Sequence, residues 1–175
     1  MTKTGTILWL TGLSGAGKTT IALAVLNLLH QRQRAAELLD GDIIRTNLSQ
    51  GLGFSKQDRD ANVLRVGFVA NLLAKHGVIA ISAVISPYRA TRQQVRANAT
   101  NFIEVYVSAP LEICESRDVK GLYAKARAGK ITGFTGIDDP YEPPLEPEVT
   151  CYTAIETVDQ SVDKVIAALN NYGYL

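Results

Sequence analysis

Cysteine is scarce in this chain: Cys114 and Cys151 are the only two among 175 residues. They lack metal-ligand or redox spacing, so neither a cysteine metal site nor a dithiol centre is expected, and a reducing compartment fits. An excess of charge of one sign is also missing. Eighteen Lys and Arg stand against 17 Asp and Glu, a net charge of +1. No global field would draw in nucleic acid or a membrane surface, and any anionic substrate must be held by locally clustered arginines. No apolar run approaches the ~20 residues of a membrane span, and Met1-Thr2-Lys3-Thr4-Gly5 has no apolar signal core. A cytoplasmic protein with no membrane or nucleic-acid partner is expected. Internal repeats and low-complexity linkers are absent too. The cluster Pro140, Pro143, Pro144 and Pro147 reads as an ordered loop, because too little chain follows it for a second domain. The length suits one domain over residues 1–175, and 46% apolar residues is ordinary for a globular fold.

What the chain does have is Gly12-Leu13-Ser14-Gly15-Ala16-Gly17-Lys18-Thr19, which meets the phosphate-loop pattern G-x-x-x-x-G-K-[ST] at every fixed position. Its setting agrees. Residues 6–11 are apolar and β-prone, and the run from Thr20 reads as a helix. Glycines let backbone N–H groups turn inward around a phosphate, and the helix N-terminus adds positive potential. Lys18 would reach the β- and γ-phosphates of a nucleotide and Thr19 would ligate Mg²⁺. Further strands are expected at 36–39, 78–83, 102–108 and about 150–155. Helices are expected at 18–33, about 58–76, 88–99, 110–117, 119–128 and 159–171. Val63, Val66, Ala70 and Leu73 form one helical stripe. This alternation implies an α/β fold of the P-loop NTPase type: a parallel sheet with helices on both faces and ligands at the carboxyl ends of its strands.

Four other segments carry polar chemistry. Asp40-Gly41-Asp42-Ile43-Ile44-Arg45 follows the second strand, on the same sheet edge as the glycine loop. One carboxylate can act as base on a hydroxyl, another can hold metal-bound water, and the arginine can hold an anion. Read alone, it would be a polar turn whose Asp caps the next helix. In Gly53-Phe54-Ser55-Lys56-Gln57-Asp58-Arg59-Asp60-Ala61-Asn62, Ser55 and Asp58 suggest a capping box. Arg59 and Asn62 share a helical face, and Phe54 could stack on a base; a solvated face and a hydrophobic staple are the plainer alternatives. Ser86, in Ile85-Ser86-Pro87-Tyr88-Arg89, is expected to start a helix, as an N-cap would. The basic run from Asp118 to Arg127, followed by Gly133-Phe134-Thr135-Gly136-Ile137, reads as a mobile lid over phosphates, against the alternative of a charged surface helix.

Taken together, GLSGAGKTT, DGDIIR, GLGFSKQDRDANVLR, ISPYR, DVKGLYAKARAG and GFTGIDDPYE resemble adenylylsulfate kinase (APS kinase) in order and spacing, from about Ile7 to Glu148. The resemblance implies transfer of phosphate from ATP to the 3′-hydroxyl of adenosine 5′-phosphosulfate (APS), giving 3′-phosphoadenosine 5′-phosphosulfate (PAPS) in sulfate assimilation. It also implies Mg²⁺ and a homodimer. It assigns ATP to Gly12, Leu13, Ser14, Gly15, Ala16, Gly17, Lys18, Thr19 and Thr20, with Arg127 near the base. It makes Asp42 the base beside the ribose 3′-hydroxyl. Arg45, Arg59 and Asn62 would hold the acceptor, and Phe54 and Phe134 would sandwich its adenine. Asp40, Ile85, Ser86, Lys120 and Gly133 match further acceptor positions, and Thr19 and Asp40 the metal, Asp40 through water. Ser86 matches a serine described as a phosphoenzyme site. In-line transfer to a positioned hydroxyl needs no covalent step, so an obligatory phosphoserine is not expected. Ile43 stands where the family usually has Asn. Beyond Thr150 the match thins, and Ile155, Glu156 and Thr157 are expected near the ATP adenine. Another small-molecule or nucleoside-monophosphate kinase would not explain DGDIIR, DRDAN and KGLY together. A GTPase switch lacks its Asn-Lys-x-Asp sequence here. A non-catalytic nucleotide module is disfavoured by intact Lys18, Thr19 and Asp42.

Overall fold

The computed structural model describes residues 4–175. Five strands form one sheet: β1 (Thr6–Thr11), β2 (Ala36–Asp40), β3 (Ile79–Ala83), β4 (Phe102–Ser108) and β5 (Val149–Tyr152). Their spatial order is β2-β3-β1-β4-β5, and every pairing is parallel. Parallel strands need crossovers, and the helices supply them. These are α1 (Lys18–Gln31), α2 (Gly41–Asn47), α3 (Lys56–Lys75), α4 (Arg89–Asn98), α5 (Leu111–Arg117), α6 (Leu122–Arg127) and α7 (Val158–Asn171).

Strand alternation divides the core. Leu8 and Leu10 of β1 face one side, with Ile79, Ile81, Ile103 and Val105, under Ile21, Val25 and Leu29 of α1 and Val162, Val165 and Leu169 of α7. Ile7 and Trp9 face the other, under Val63, Val66 and Ala70 of α3 and Val95 of α4, with Leu73 packed at the margin. The stripe read from the sequence is therefore the buried face of α3. Helices cover both faces, so β1 is buried along its whole length.

Register sets the site. Leu10 and Asp40 both align with Ala83 of the intervening strand, and Thr11 aligns with Tyr106. The carboxyl ends of β1, β2 and β3 are thus level, and the segments that leave them meet above one edge. β1 lies where the crossovers diverge to either side, the place such sheets use for ligands.

Several boundaries differ from expectation. Residues 41–47 form α2, with Asp40 as N-cap accepting the Asp42 N–H at 3.0 Å. An Asp of this turn does cap the next helix, and it is Asp40, with the helix beginning at once instead of after a turn. Residues 119–128 are not one helix: Gly121 sits at φ +63, a left-handed geometry that delays α6 to Leu122. Strand β5 ends at Tyr152, earlier than expected. Among the described residues no helix is long and apolar enough to cross a membrane.

Candidate active site

The glycine loop turns off β1 under tight constraint. A Cβ on Gly12 would lie 2.4 Å from the Val107 carbonyl oxygen of β4. Only glycine fits that approach. The N-cap of α1 is Gly17, with no capping side chain, so the amides of the first turn carry no side-chain oxygen. They remain available to an anion. Lys18 is buried and folded back over the loop, its Nζ donating to the carbonyls of Gly12 (3.0 Å) and Leu13 (2.8 Å). Burial, which disfavours the charged ammonium, brings its pKa down to about 8. Thr19 Oγ1 donates to Asp40 Oδ2 at 3.0 Å, joining the loop to the end of β2.

Asp42 lies in the first turn of α2, exposed, in an ion pair with Lys120. Arg45, one turn on, donates to the carbonyl of Gly53 at 2.9 Å and stacks on Phe54, its guanidinium carbon 4.4 Å from the ring centre. Arg59 approaches the same ring at 5.6 Å and donates to the Phe54 carbonyl at 2.9 Å. It also bonds the Gly133 carbonyl and faces Asp139 at 3.5 Å. Phe54 itself is 61% exposed. Ser55 caps α3 by accepting the Asp58 N–H at 3.2 Å, while its hydroxyl donates to Asp58 Oδ2; this is a one-sided cap rather than the reciprocal box. Asn62 is buried with Oδ1 lacking a partner. An orphaned amide oxygen costs free energy unless a ligand or water satisfies it.

Ser86 is not a helix cap. The N-cap of α4 is Tyr88, without a side-chain bond. Ser86 is buried at φ +43, accepts the Trp9 Nε1–H at 3.1 Å and donates to Thr11 Oγ1 at 3.0 Å. Thr11 in turn donates to the Ile85 carbonyl at 2.7 Å and lies 3.0 Å from the Tyr141 hydroxyl. The buried Arg92 donates to the Ser86 carbonyl (2.6 Å) and the Glu142 carbonyl (2.7 Å) and pairs with Glu104 at 2.8 Å. The turn after β3 is therefore fastened to β1, α4 and the proline-rich loop.

One cavity of about 810 Å³ opens over this edge. It is lined by Ser14, Gly15, Gly17, Lys18, Thr19, Thr20, Asp40, Asp42, Ile43, Arg45, Phe54, Arg59, Asn62, Ile85, Ser86, Lys120 and Phe134, so most residues singled out from the sequence meet there. Gly12, Leu13, Ala16 and Gly133 are not part of its lining: the Gly12 and Leu13 carbonyls accept from Lys18, Ala16 is buried, and the Gly133 carbonyl accepts from Arg59. Arg127 stands apart: it is exposed and pairs with Glu115 at 2.5 Å. Two residues not anticipated line the wall. Arg117 of α5 lies against the glycine loop, donating to the carbonyls of Gly15 (3.2 Å) and Thr153 (2.6 Å). Tyr123 of α6 donates to the Ser14 carbonyl at 2.8 Å. Both reach the loop from about a hundred residues away, a pairing no local pattern reveals. Glu156 and Thr157 also line the cavity; Ile155 is 84% exposed and outside it.

The family model for adenylylsulphate kinase matches residues 4–152. This chain belongs to the adenylylsulfate kinase family. It is 60% identical over 175 residues to an adenylyl-sulfate kinase of Rippkaea orientalis, covering 100% of this chain and 97% of that one. The APS kinase CysC of Mycobacterium tuberculosis, solved in complex with AMPPNP and APS, superimposes with a TM-score of 0.92 at 43% identity, over 96% of this chain and 99% of that one. A hexameric APS kinase from Thiobacillus denitrificans aligns with a TM-score of 0.76 at 38% identity; 99% of this chain matches 30% of that longer one. The five-stranded parallel sheet flanked by helices is thus the P-loop kinase fold of this family.

Proposed function

We propose that the chain transfers the γ-phosphoryl group of ATP to the 3′-hydroxyl of adenosine 5′-phosphosulfate, yielding ADP and PAPS for sulfate assimilation. One observation carries the reading. The glycine loop, the Asp40–Asp42 turn and the Phe54 and Phe134 rings all open on a single cavity. Donor phosphates and an aromatic acceptor can therefore lie in line within one chamber. Its relatives, and the ATP analogue and APS named with the M. tuberculosis enzyme, support the same acceptor.

The loop amides from Gly12 to Thr20 and Lys18 hold the donor phosphates. Lys18 leaves the Gly12 and Leu13 carbonyls, which are neutral partners, for the β- and γ-phosphates. Thr19 and Asp40 fit a Mg²⁺ carried by those phosphates. Their oxygens lie 3.0 Å apart at the start of α1, and among the described residues no cluster of three or more His, Cys, Asp or Glu offers a cage of its own. Mg²⁺, when bound, neutralises charge on the β- and γ-oxygens.

Phe54 and Phe134 hold the acceptor's adenine, with Arg45, Arg59, Asn62, Ile85, Ser86 and Gly133 around it. The adenine displaces the Arg45 guanidinium from the Phe54 face and frees that cation for the phosphosulfate. Lys120 likewise moves from Asp42 to the acceptor's anion, which releases the Asp42 carboxylate to take the 3′-hydroxyl proton. Closure of the segment from Lys120 to Phe134 excludes water and suppresses ATP hydrolysis. Arg127 approaches the ATP base only if that lid rearranges. The protein works as one domain over residues 1–175, as a homodimer, in the cytoplasm.

A coupled ADP-release assay tests the function. ADP should appear when adenosine 5′-phosphosulfate is added and not in its absence. Equal release without acceptor, or turnover on a sugar or nucleoside monophosphate instead, overturns the reading.

A further inference from the structure

Tyr123 touches both the glycine loop and Phe134. Its hydroxyl donates to the Ser14 carbonyl of the glycine loop at 2.8 Å. Its ring meets Phe134 edge-on, with centroids 5.0 Å apart and planes at 82°. The side chain is buried, at 2% exposure, yet forms part of the cavity wall. Its backbone is fixed as well: Asp118 Oδ1 accepts the Tyr123 N–H and Oδ2 the Ala124 N–H, each at 3.0 Å, which closes the first turn of α6. The Phe134 backbone is also held, its N–H donating to Asp138 Oδ1 at 2.6 Å.

The consequence is mechanical. Ser14 belongs to the loop that must wrap the donor's phosphates, and Phe134 to the surface that must take the acceptor's base. A rigid phenol ring joins them through one directional hydrogen bond and one directional aromatic contact. Through these two contacts a shift of the Ser14 carbonyl would turn the Tyr123 ring, and that turn would change the tilt of Phe134. A buried phenol needs a hydrogen-bond partner wherever it sits; here that partner is the phosphate loop, while the ring packs on Phe134.

We propose that Tyr123 is a positioning residue that couples occupancy of the nucleotide loop to the affinity of the acceptor platform. The inference rests on the functional reading above, since it needs both ligands in one cavity. Coupling between sites is reciprocal and commonly amounts to roughly 5–150-fold in affinity. Removing the hydroxyl alone breaks the link to Ser14 while leaving the ring against Phe134.

The experiment is calorimetric titration of adenosine 5′-phosphosulfate into the full chain, with and without a saturating non-hydrolysable ATP analogue and Mg²⁺. The ratio of the two dissociation constants is the coupling factor. The parent protein is expected to show a factor of about five or more, and Tyr123→Phe a factor within about two-fold of unity. Acceptor affinity without nucleotide should stay within about two-fold in Tyr123→Phe, which a general loosening of the fold would not allow. Tyr123→Leu serves as a second variant: it removes both contacts and must also bring the factor to unity. A parent factor of one, or an unchanged factor in Tyr123→Phe, overturns the proposal. Should the parent bind no adenosine 5′-phosphosulfate under either condition, the functional reading fails first and this inference falls with it.

Discussion

Trp9 donates its indole N–H to Ser86 Oγ at 3.1 Å, with both side chains buried. The bond ties the centre of the sheet to the turn that would face the acceptor. With the Thr11 and Arg92 bonds it holds Ser86 at φ +43, where the backbone is strained for any residue with a Cβ. A hydroxyl already accepting from Trp9 and donating to Thr11 is poorly exposed to a γ-phosphate.

Ser86→Ala should therefore keep most of its turnover and lose stability. The Trp9 N–H would be left buried without a partner, which costs about 1–3 kcal/mol. Thermal unfolding followed by Trp9 fluorescence measures this directly. A folded variant with no turnover, together with phosphoserine trapped in the parent, would restore the covalent route.

Lys18 gives a prediction about protons. Its folded pKa of about 8 lies below the ordinary 10.5 because burial disfavours the charge. The unfolded chain thus binds more protons between those values, so this residue's contribution to stability improves as pH rises through that window and is least favourable below it. Nucleotide phosphates should reverse the shift by stabilising the ammonium. Near the folded pKa, binding should take up about half a proton per site. Calorimetry of the ATP analogue in two buffers of different ionisation enthalpy reads the uptake. Lys18→Ala should show none and should not turn over; uptake that persists in that variant would assign the proton elsewhere.

Much of this site was legible in the sequence, and for a local reason. The glycine loop, Asp40–Arg45 and Arg59–Asn62 each lie within one segment, and a parallel sheet brings those segments to one edge. What was not legible depends on distance or on backbone geometry. Residues 41–47 open with glycine and run only seven residues, so no periodicity marks α2. Ser86 before Pro87 resembles a cap, and only the fold brings Trp9 to it from 77 positions away. Arg117 looks like the basic end of a helix, and its bonds to Gly15 and Thr153 depend on how α5 lies across the loop.

Phe54 and Phe134 should prove unequal partners. Phe54 is largely exposed and held chiefly by the guanidiniums of Arg45 and Arg59, whereas Phe134 packs on Tyr123. Each truncation to alanine should weaken acceptor binding by about 1–3 kcal/mol, the range for a stacked base, and leave the ATP analogue nearly unaffected when it binds alone. Only Phe134→Ala should also lower the melting temperature. Equal losses for both ligands would remove the aromatic platform from the acceptor site.

Asp40 and Asp42 stand two residues apart and make different contacts, from which different roles follow. Asp40 is committed: one oxygen accepts from Thr19 and the other from the Asp42 N–H, each at 3.0 Å. In the proposed function it would hold the Thr19 hydroxyl toward the metal. The Asp42 carboxylate pairs with Lys120, which reaches it from the segment before α6; both line the cavity. A carboxylate released from that pair can take the acceptor proton. Asp42→Asn preserves shape without basicity, so kcat should fall by about 10²–10⁴ while acceptor affinity changes far less. Asp40→Asn should instead raise the Mg²⁺ concentration needed for half-maximal rate. Lys120→Ala provides a third comparison. It frees Asp42 but removes a cation from the acceptor, so KM for the acceptor should rise more than kcat falls. Steady-state rates of the three variants across a Mg²⁺ titration separate the roles. Rescue of Asp42→Asn, but not Asp40→Asn, by added Mg²⁺ would mean that the two carboxylates have been assigned the wrong way round.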